Sequence, residues 1–185
     1  MIKIVMMVGS LRKGSYNMML GKHVQKRYAD QLEIEILDID VPNYNGDLDN
    51  PTDTPEKVKV MNQKIHDADA VFMITPEYNH GLSGVLKNAI DWASRTQPGL
   101  KNKPGLIASC SMGQTAGARG YLNLYTVLDT MLDTMPMWLL PGNDILIGAV
   151  HTKFDESGML IDEGTVTFID GVMNQFIEYY NQVKQ

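Results

Sequence analysis

The nine residues after the first apolar run carry side chains suited to holding an anion. The run IKIVMMV is followed by GSLRKGSYN, residues 9–17. Ser10, Ser15 and Asn17 offer short hydrogen-bonding side chains, and Arg12 offers a fixed charge that can pair with two phosphate oxygens. A helix starting here would add unpaired backbone N–H groups and a partial positive charge. The turn therefore predicts a phosphate site. The alternative is ordinary helix capping by Ser15 or Asn17, with Arg12 as a surface charge.

The spacing of the turn indicates which phosphate it would hold. A dinucleotide fingerprint requires G-x-G-x-x-G, whereas Gly9 and Gly14 lie five residues apart. A Walker A loop requires lysine and a hydroxyl residue directly after its second glycine, whereas Ser15 and Tyr16 follow Gly14. A terminal monophosphate is the better match.

A second unusual turn, TPEYNHG, covers residues 75–81. Pro76 fixes the backbone, and Asn79 and Gly81 permit tight turns. A flat heteroaromatic ring needs backbone hydrogen-bonding groups at its edge and a surface to lie against, and a rigid turn with Tyr78 could supply both. The alternative is a plain strand-to-helix turn capped by Asn79 or Ser83.

A third turn lies within SCSMGQTAG, residues 109–117. Its small residues leave room for a ligand to lie across a strand end, with Ser111 polar, Gly113 permissive and Met112 placed to touch a ligand. The alternative is a loop that is small only because it is tight. Cys110 is expected to be a buried, unreactive strand thiol.

Five apolar runs alternate with helical periodicity along the chain. Predicted strands are 2–8, 33–39, 70–75 and 104–110, with a fifth flanked by MPMWLLPG (135–142) and DILIGAV (144–150). Thr54 is predicted to cap the second helix, with Pro55 at its first position. Predicted helix faces are marked by Leu20, Val24 and Tyr28; Val58, Met61, Ile65 and Ala68; Leu82, Leu86, Ala89 and Ala93, in a helix ending near Arg95; Leu124, Leu128 and Met131; and Ile169, Val172, Met173, Phe176, Ile177 and Tyr180.

This alternation predicts an α/β fold. We expect a flavodoxin-like, doubly wound, five-stranded parallel sheet of order 2-1-3-4-5 with helices on both faces, in one domain over residues 1–185. Strands one, three and four are then neighbours, so the three turns at their carboxyl ends line one crevice. A monophosphate at the first turn and a flat ring at the other two describe flavin mononucleotide (FMN). Residues 40–53 are predicted to be a long loop. A solvated connector is the favoured interpretation, and a cover over the ring edge or the neighbouring subunit is the alternative.

Composition argues against several other classes. The 185 residues are 44% hydrophobic and 21% charged, with a net charge of −6 and no cationic cluster for nucleic acid. No apolar run reaches the roughly 18 residues of a membrane span. The single cysteine suits a reducing compartment, and the four histidines lack metal-ligand spacing. We expect a cytoplasmic protein without nucleic-acid, membrane or metal partners.

At these turns the sequence resembles the NAD(P)H-dependent FMN reductases, which include quinone, azo and chromate reductases. The family's G-S-x-R-x-x-S-x-N is met in full at residues 9–17. PEYNHGLSGVLKNAIDW, residues 76–92, follows the second family signature, and SCSMGQTAGAR, residues 109–119, follows a weaker third. Four positions depart from the common residues: Gly81, Ser83, Met112 and Ala116. These departures bear on ring geometry and substrate choice but not on the phosphate turn.

The resemblance implies the roles of particular residues. It implies that Ser10, Arg12, Ser15, Tyr16 and Asn17 hold the FMN phosphate. It also implies that two segments border the ribityl chain and the ring. They are Pro76, Glu77, Tyr78 and Asn79 in the second turn, and Ser111, Met112 and Gly113 in the third. Similar proteins form dimers or tetramers, so a homodimer or homotetramer is expected.

Three functions follow from this reasoning. The first is a reductase that takes two electrons from NAD(P)H, a transient co-substrate, and passes them in ping-pong order to a quinone, azo compound, flavin or metal oxyanion. The cofactor carries this chemistry, so no catalytic acid or base is assigned. The others are a flavodoxin-type electron carrier and a flavin-binding redox sensor with little turnover.

Overall fold

The structure is a computed structural model that describes residues 1–95, 99–130, 137–142 and 144–184. The strands are β1 (Ile2–Val8), β2 (Leu32–Ile36), β3 (Ala70–Ile74), β4 (Glu77–Tyr78), β5 (Gly81–Leu82), β6 (Pro104–Cys110), β7 (Trp138–Leu139) and β8 (Ile145–Ile147). The helices are α1 (Tyr16–Arg27), α2 (Glu56–Asp67), α3 (Gly84–Ala93), α4 (Ala118–Thr130) and α5 (Glu163–Val183). Met131 and residues 135–136, which entered the predictions above, lie outside the described residues.

A parallel sheet forms the centre of the molecule. Its order is β2-β1-β3-β6, with both β7 and β8 beside β6. Trp138 of β7 pairs with Pro104, and Ile145 of β8 pairs with Ala108. The prediction of an α/β fold with a parallel sheet is confirmed. The fifth position, however, holds two short strands in place of one continuous strand.

The side chains of each central strand alternate between two apolar layers. Ile4, Met6 and Val8 belong to the cluster that includes α1 and α5, whereas Val5 and Met7 belong to the cluster that includes α2, α3 and α4. This alternation follows from strand geometry, in which successive side chains point to opposite faces. The nearly all-apolar sequence of β1 therefore reflects burial on both faces, as predicted. None of the helices in the described ranges is long and apolar enough to cross a membrane.

The start of α2 differs from the prediction by one residue. Pro55 precedes the helix, which begins at Glu56, so the prediction of Thr54 as the capping residue is wrong. The Thr54 hydroxyl lies 3.1 Å from the carbonyl oxygen of Leu48 and 2.6 Å from that of Asn50. Threonine readily bonds to nearby backbone, and here it closes the preceding loop.

Candidate functional site

The first turn connects β1 to α1 and lies against the end of β3. The Gly9 N–H donates to the carbonyl oxygen of Ile74 at 2.8 Å. A Cβ atom at Gly9 would lie 2.5 Å from Ser83 Oγ and 3.2 Å from Pro76 Cδ. Real Cβ atoms essentially never show the first of these distances, and the second is a tight contact, so glycine lets the first and second turns meet.

Two backbone donors at the start of α1 remain outside the helical hydrogen-bond ladder. Ser15 is the N-cap, and its Oγ accepts from the Met18 N–H at 3.3 Å. The first carbonyl-to-amide bond of the helix joins Ser15 to Met19. The N–H groups of Tyr16 and Asn17 precede these two donors in the helix and have no intrahelical acceptor. The first turn of α1 contains no acidic residue, so its positive end is not neutralised.

A cation and two hydroxyl groups stand beside these donors. Ser10 and Ser15 are buried, whereas Arg12 is exposed and forms no ion pair or side-chain hydrogen bond among the described residues. The Tyr16 ring packs on Phe154, with centroids 6.0 Å apart. Tyr16 therefore offers the turn its backbone N–H, while its ring belongs to the core.

Asn17 joins the first turn to the third. Its Nδ2 donates to the Cys110 carbonyl oxygen at 3.1 Å, and its Oδ1 accepts from the Cys110 N–H at 3.2 Å. This buried pair of bonds connects the start of α1 to the end of β6. The side chain predicted as a phosphate ligand thus has a structural role as well. Sequence reasoning missed this role because the two residues are 93 positions apart.

The second turn forms a separate two-stranded hairpin. Glu77 pairs with Leu82 across β4 and β5, and the two loop residues, Asn79 and His80, have φ angles of +50° and +62°. When both loop residues have positive φ angles, the backbone twist of a two-residue hairpin loop matches the twist of the strands that it joins. Asparagine adopts this conformation readily, whereas for a residue such as His80 it costs about 1–2 kcal/mol. The hairpin presents Tyr78, which is half exposed.

Ser83, directly after the hairpin, caps α3. Its Oγ accepts from the Leu86 N–H at 3.4 Å, as the capping alternative predicted. Pro76, which precedes the hairpin, is buried.

The hairpin is braced against α4 by Glu77. The Glu77 carboxylate accepts from the N–H groups of Arg119 at 2.9 Å and Gly120 at 3.3 Å, and its other oxygen lies 3.5 Å from Arg119 Nη1. A Cβ at Gly120 would lie 3.0 Å from the Glu77 Cα, so helix and hairpin are in close contact. Asn123 adds a further bond by accepting from the Leu82 N–H at 3.1 Å. The Glu77 side chain therefore serves as the cap of α4, a role that the sequence prediction did not include.

The third turn is fixed to the end of β8. The Ser111 N–H donates to the Ile147 carbonyl oxygen at 3.0 Å, and the Val150 N–H donates to the Ser111 carbonyl oxygen at 3.1 Å. Ser111 Oγ accepts from the Gly113 N–H at 3.2 Å, which tightens the turn. Met112, in this turn, is 61% exposed.

Two features of the sequence around this turn have a structural explanation. Ala116, one of the four departures from the family pattern described above, adopts a φ of +58°, a conformation that favours glycine. Cys110 is a buried free thiol, and burial raises its pKa to about 12. It therefore stays protonated, and the prediction that it is buried is confirmed.

The loop after β2 is anchored to α3. Asn88 accepts from the Tyr44 N–H at 2.7 Å and donates to the carbonyl oxygens of Val41 at 3.2 Å and Pro42 at 3.0 Å. Trp92 Nε1 donates to the Pro42 carbonyl oxygen at 2.8 Å, and its rings pack edge-on against Tyr44 at a centroid distance of 4.9 Å. The first part of this loop is therefore a fixed element, in contrast to the solvated connector that the sequence favoured.

The three turns together form a surface that fits a flavin phosphate. One end offers two unpaired N–H groups, two hydroxyl groups and a cation, which is a donor set for a phosphate dianion. The other end presents the exposed side chains of Tyr78 and Met112 on two braced turns. Backbone bonds between neighbouring strand ends hold the arrangement in place. The described residues contain no group of three or more His, Cys, Asp or Glu side chains able to hold a metal ion.

Comparison with known proteins gives a consistent picture. The family model for NADPH-dependent FMN reductases matches residues 2–152. A quinone reductase of Escherichia coli is 37% identical over 188 residues, which cover 99% of this chain and 97% of that protein. An NAD(P)H-dependent FMN reductase of Pseudomonas aeruginosa is 38% identical over 165 residues, or 88% and 86% of the two chains.

Solved structures agree with these sequence relationships. The flavoenzyme NAD(P)H:(acceptor) oxidoreductase FerB from Paracoccus denitrificans superposes with a TM-score of 0.87 at 34% identity, covering 98% of both chains. A flavodoxin from Pseudomonas aeruginosa superposes with a TM-score of 0.55 at 15% identity over the full length of both chains, which shows a shared fold only.

Proposed function

The chain belongs to the NADPH-dependent FMN reductase family, and we propose that the three turns form its FMN site within one domain over residues 1–185. The observation that carries this proposal is the first turn. There, the unpaired N–H groups of Tyr16 and Asn17 lie beside Ser10, Ser15 and Arg12, whose side chain has no partner within the described ranges. We assign the phosphate to these five residues. Asn17 contributes mainly through its backbone, because its side chain is bonded to Cys110.

The ribityl chain and ring are assigned to the other two turns. Pro76 to Asn79 would border the ring on one side and Ser111 to Gly113 on the other. Glu77 would contribute its backbone, since its carboxylate caps α4. The exposed side chains of Tyr78 and Met112 are the groups available to pack against a flat ring.

When bound, FMN supplies two-electron transfer between a nicotinamide and a small acceptor. The residues of the chain bind the cofactor, orient it and leave one side open, and we assign no catalytic acid or base among them. We propose that NAD(P)H and the acceptor occupy this open side in turn, which is a ping-pong order. Initial rates at several fixed acceptor concentrations should give parallel double-reciprocal lines, and intersecting lines would contradict this order.

The acceptor is proposed to be a small oxidised molecule, with quinones placed first. The names of two relatives support this choice, since one similar protein is a quinone reductase and another is a 2-hydroxy-1,4-benzoquinone reductase. Azo compounds, free flavins and metal oxyanions are the other classes to assay.

We also propose a cytoplasmic homodimer or homotetramer. The reduced, buried state of Cys110 suits a reducing compartment. Leu122 and Tyr125, three residues apart on α4, are 59% and 45% exposed and lie on the helix that braces the flavin-side hairpin. A second copy of the chain covering this pair would bury apolar surface next to the site. Light scattering after size-exclusion chromatography measures the assembly, and a monomer at micromolar concentration would contradict the proposal.

The decisive experiment is a visible spectrum of the purified protein, followed by anaerobic addition of NADPH or NADH. Flavin absorption that bleaches with a nicotinamide supports the reductase and shows which donor reacts faster. A flavin that bleaches only with dithionite, through a persistent blue semiquinone, would indicate an electron carrier. Tight FMN binding with slow reduction of every acceptor would indicate a sensor. A protein that stays colourless with added FMN would overturn the site.

A further inference from the structure

The methionines of the chain differ widely in their access to solvent. Three are exposed among the described residues: Met1 at 80%, Met112 at 61% and Met159 at 54%. A larger group is at most 4% exposed and consists of Met6, Met7, Met61, Met73, Met137 and Met173. A dissolved oxidant attacks a thioether that it can reach. Met112 and Met159 are therefore the internal methionines most open to oxidation in the described ranges.

Met112 lies between two residues whose backbone is fixed. Ser111 is bonded to Ile147 and Val150, and the Gly113 carbonyl oxygen accepts from the Ala149 N–H at 3.3 Å. The Met112 thioether is thus held at the surface of the third turn, and a chemical change at its sulfur leaves these backbone bonds in place.

The neighbouring thiol does not compete for an oxidant. Peroxides react with thiolates rather than with thiols. Cys110 is 3% exposed, and burial raises its pKa to about 12, so it is neither accessible nor ionised at neutral pH. Oxidation of this segment therefore falls on Met112.

Oxidation changes the surface that Met112 offers to a ligand. A thioether is apolar and packs well against aromatic rings, whereas a sulfoxide is polar and chiral and carries an oxygen that accepts hydrogen bonds. A flat ring lying on the sulfoxide takes water away from this oxygen without offering it a donor, which is unfavourable. The sulfoxide therefore disfavours the ring that the thioether accommodates.

We propose that Met112 is a peroxide-sensitive modification site whose oxidation weakens FMN binding. The Sδ atom attacks one oxygen of hydrogen peroxide, so that an S–O bond forms and the O–O bond breaks. The displaced hydroxide takes the proton from the transferred oxygen and leaves as water, while sulfur loses the two electrons that the peroxide gains. Bound FMN covers the same side chain, so the holoprotein is protected and the apoprotein is not. The link to FMN rests on the proposed function.

The first test compares sulfoxide formation in the apoprotein and in the FMN-saturated protein treated with hydrogen peroxide. Mass spectrometry of tryptic peptides reports it, because Met112 is the only methionine of residues 102–119. In the apoprotein, we expect Met112 and Met159 to oxidise at least about tenfold faster than the buried Met173. FMN should slow the oxidation of Met112 by about fivefold or more and leave that of Met159, which is not assigned to FMN, unchanged.

The second test measures FMN affinity by fluorescence quenching before and after peroxide treatment. The dissociation constant of the parent should rise by about fivefold or more, and methionine sulfoxide reductase should reverse the change. Each variant is compared with its own untreated form. Met112→Leu, which has no sulfur at this position, should become insensitive to peroxide, whereas the matched control Met159→Leu should respond like the parent.

The outcomes separate this proposal from the proposed function. A protein that binds no FMN would remove both. Oxidation of Met112 at the same rate with and without bound FMN, in a protein whose spectrum shows the flavin, would overturn only the present proposal. An equal loss of affinity in Met112→Leu and the parent would also overturn it, because peroxide would then act elsewhere.

Discussion

Replacing Arg12 with alanine should weaken FMN binding while leaving the fold intact. The Arg12 side chain is exposed and has no partner among the described residues, so its removal breaks no observed contact. The carbonyl oxygen of Arg12 accepts from the Ser15 N–H at 3.2 Å, and this backbone bond remains in the variant. We therefore expect the free energy of unfolding of the apoprotein to change by less than about 0.5 kcal/mol.

The expected loss of affinity follows from the contact that Arg12 would make. A hydrogen bond to a charged group contributes about 1.5–3 kcal/mol, and about 1.4 kcal/mol corresponds to tenfold in affinity. The FMN dissociation constant should therefore rise by roughly tenfold to 150-fold. The lower end is favoured, because water screens an exposed guanidinium. The remaining N–H and hydroxyl donors of the turn should keep binding measurable.

The assay is quenching of FMN fluorescence by the apoprotein, with Lys13→Ala as the matched control. Lys13 is the next residue, is also exposed and carries the same charge. If only long-range electrostatics attract the phosphate, both variants should lose similar affinity, and raising the salt concentration should abolish the difference from the parent. If Arg12 contacts the phosphate, Lys13→Ala should change affinity less than about threefold. Unchanged affinity in Arg12→Ala, or equal losses in both variants, would refute the assignment.

Three further predictions concern the supports of the site. Glu77→Ala removes the cap of α4 and should lower the free energy of unfolding by about 1–2 kcal/mol in urea titrations, whereas a neutral result would contradict the bracing role. Asn88→Ala removes three bonds to the loop after β2, so amide exchange at Tyr44 should accelerate at least tenfold, measured by hydrogen exchange. The pKa of Asp162 is lowered to about 2, chiefly by its hydrogen bond with Lys153. The charged carboxylate therefore stabilises the folded state above the unfolded pKa of about 4, and this stabilisation is lost as the pH falls towards 2. Asp162→Asn should flatten the fall of thermal stability between pH 4 and 2, and an unchanged pH profile would argue against this ion pair.

The elements that could be predicted were those set by local pattern. The strands 2–8 and 104–110 were predicted at their observed bounds, because burial on both faces produces continuous apolar runs. The capping of α1 by Ser15 also follows from residue type and position. The division of the fifth position into β7 and β8 was not predicted, because both pieces are short and lie between turn-forming residues.

The roles that could not be predicted depend on contacts between distant parts of the chain. Asn17 is a polar residue in a phosphate-like turn, and nothing nearby in sequence indicates its two bonds to Cys110. Glu77 likewise looks like part of a ligand turn, although its carboxylate binds backbone 42 and 43 residues away. In both cases the sequence assigned the residue to a ligand site, whereas the partner of its side chain within the protein could be identified only from the fold.

The segment PEYNHGLSGVLKNAIDW joins two structural tasks in one continuous stretch. Its first half forms the hairpin that Glu77 fixes to α4, and its second half carries Asn88 and Trp92, which hold the loop after β2. Ser83 connects the halves by capping α3. The contributions of the two halves can be measured separately, because Asn88 contacts the loop after β2 and not the three turns. Faster loop exchange in Asn88→Ala with unchanged FMN affinity would show that α3 holds each end independently, whereas a parallel loss of FMN affinity would show that the loop supports the flavin side as well.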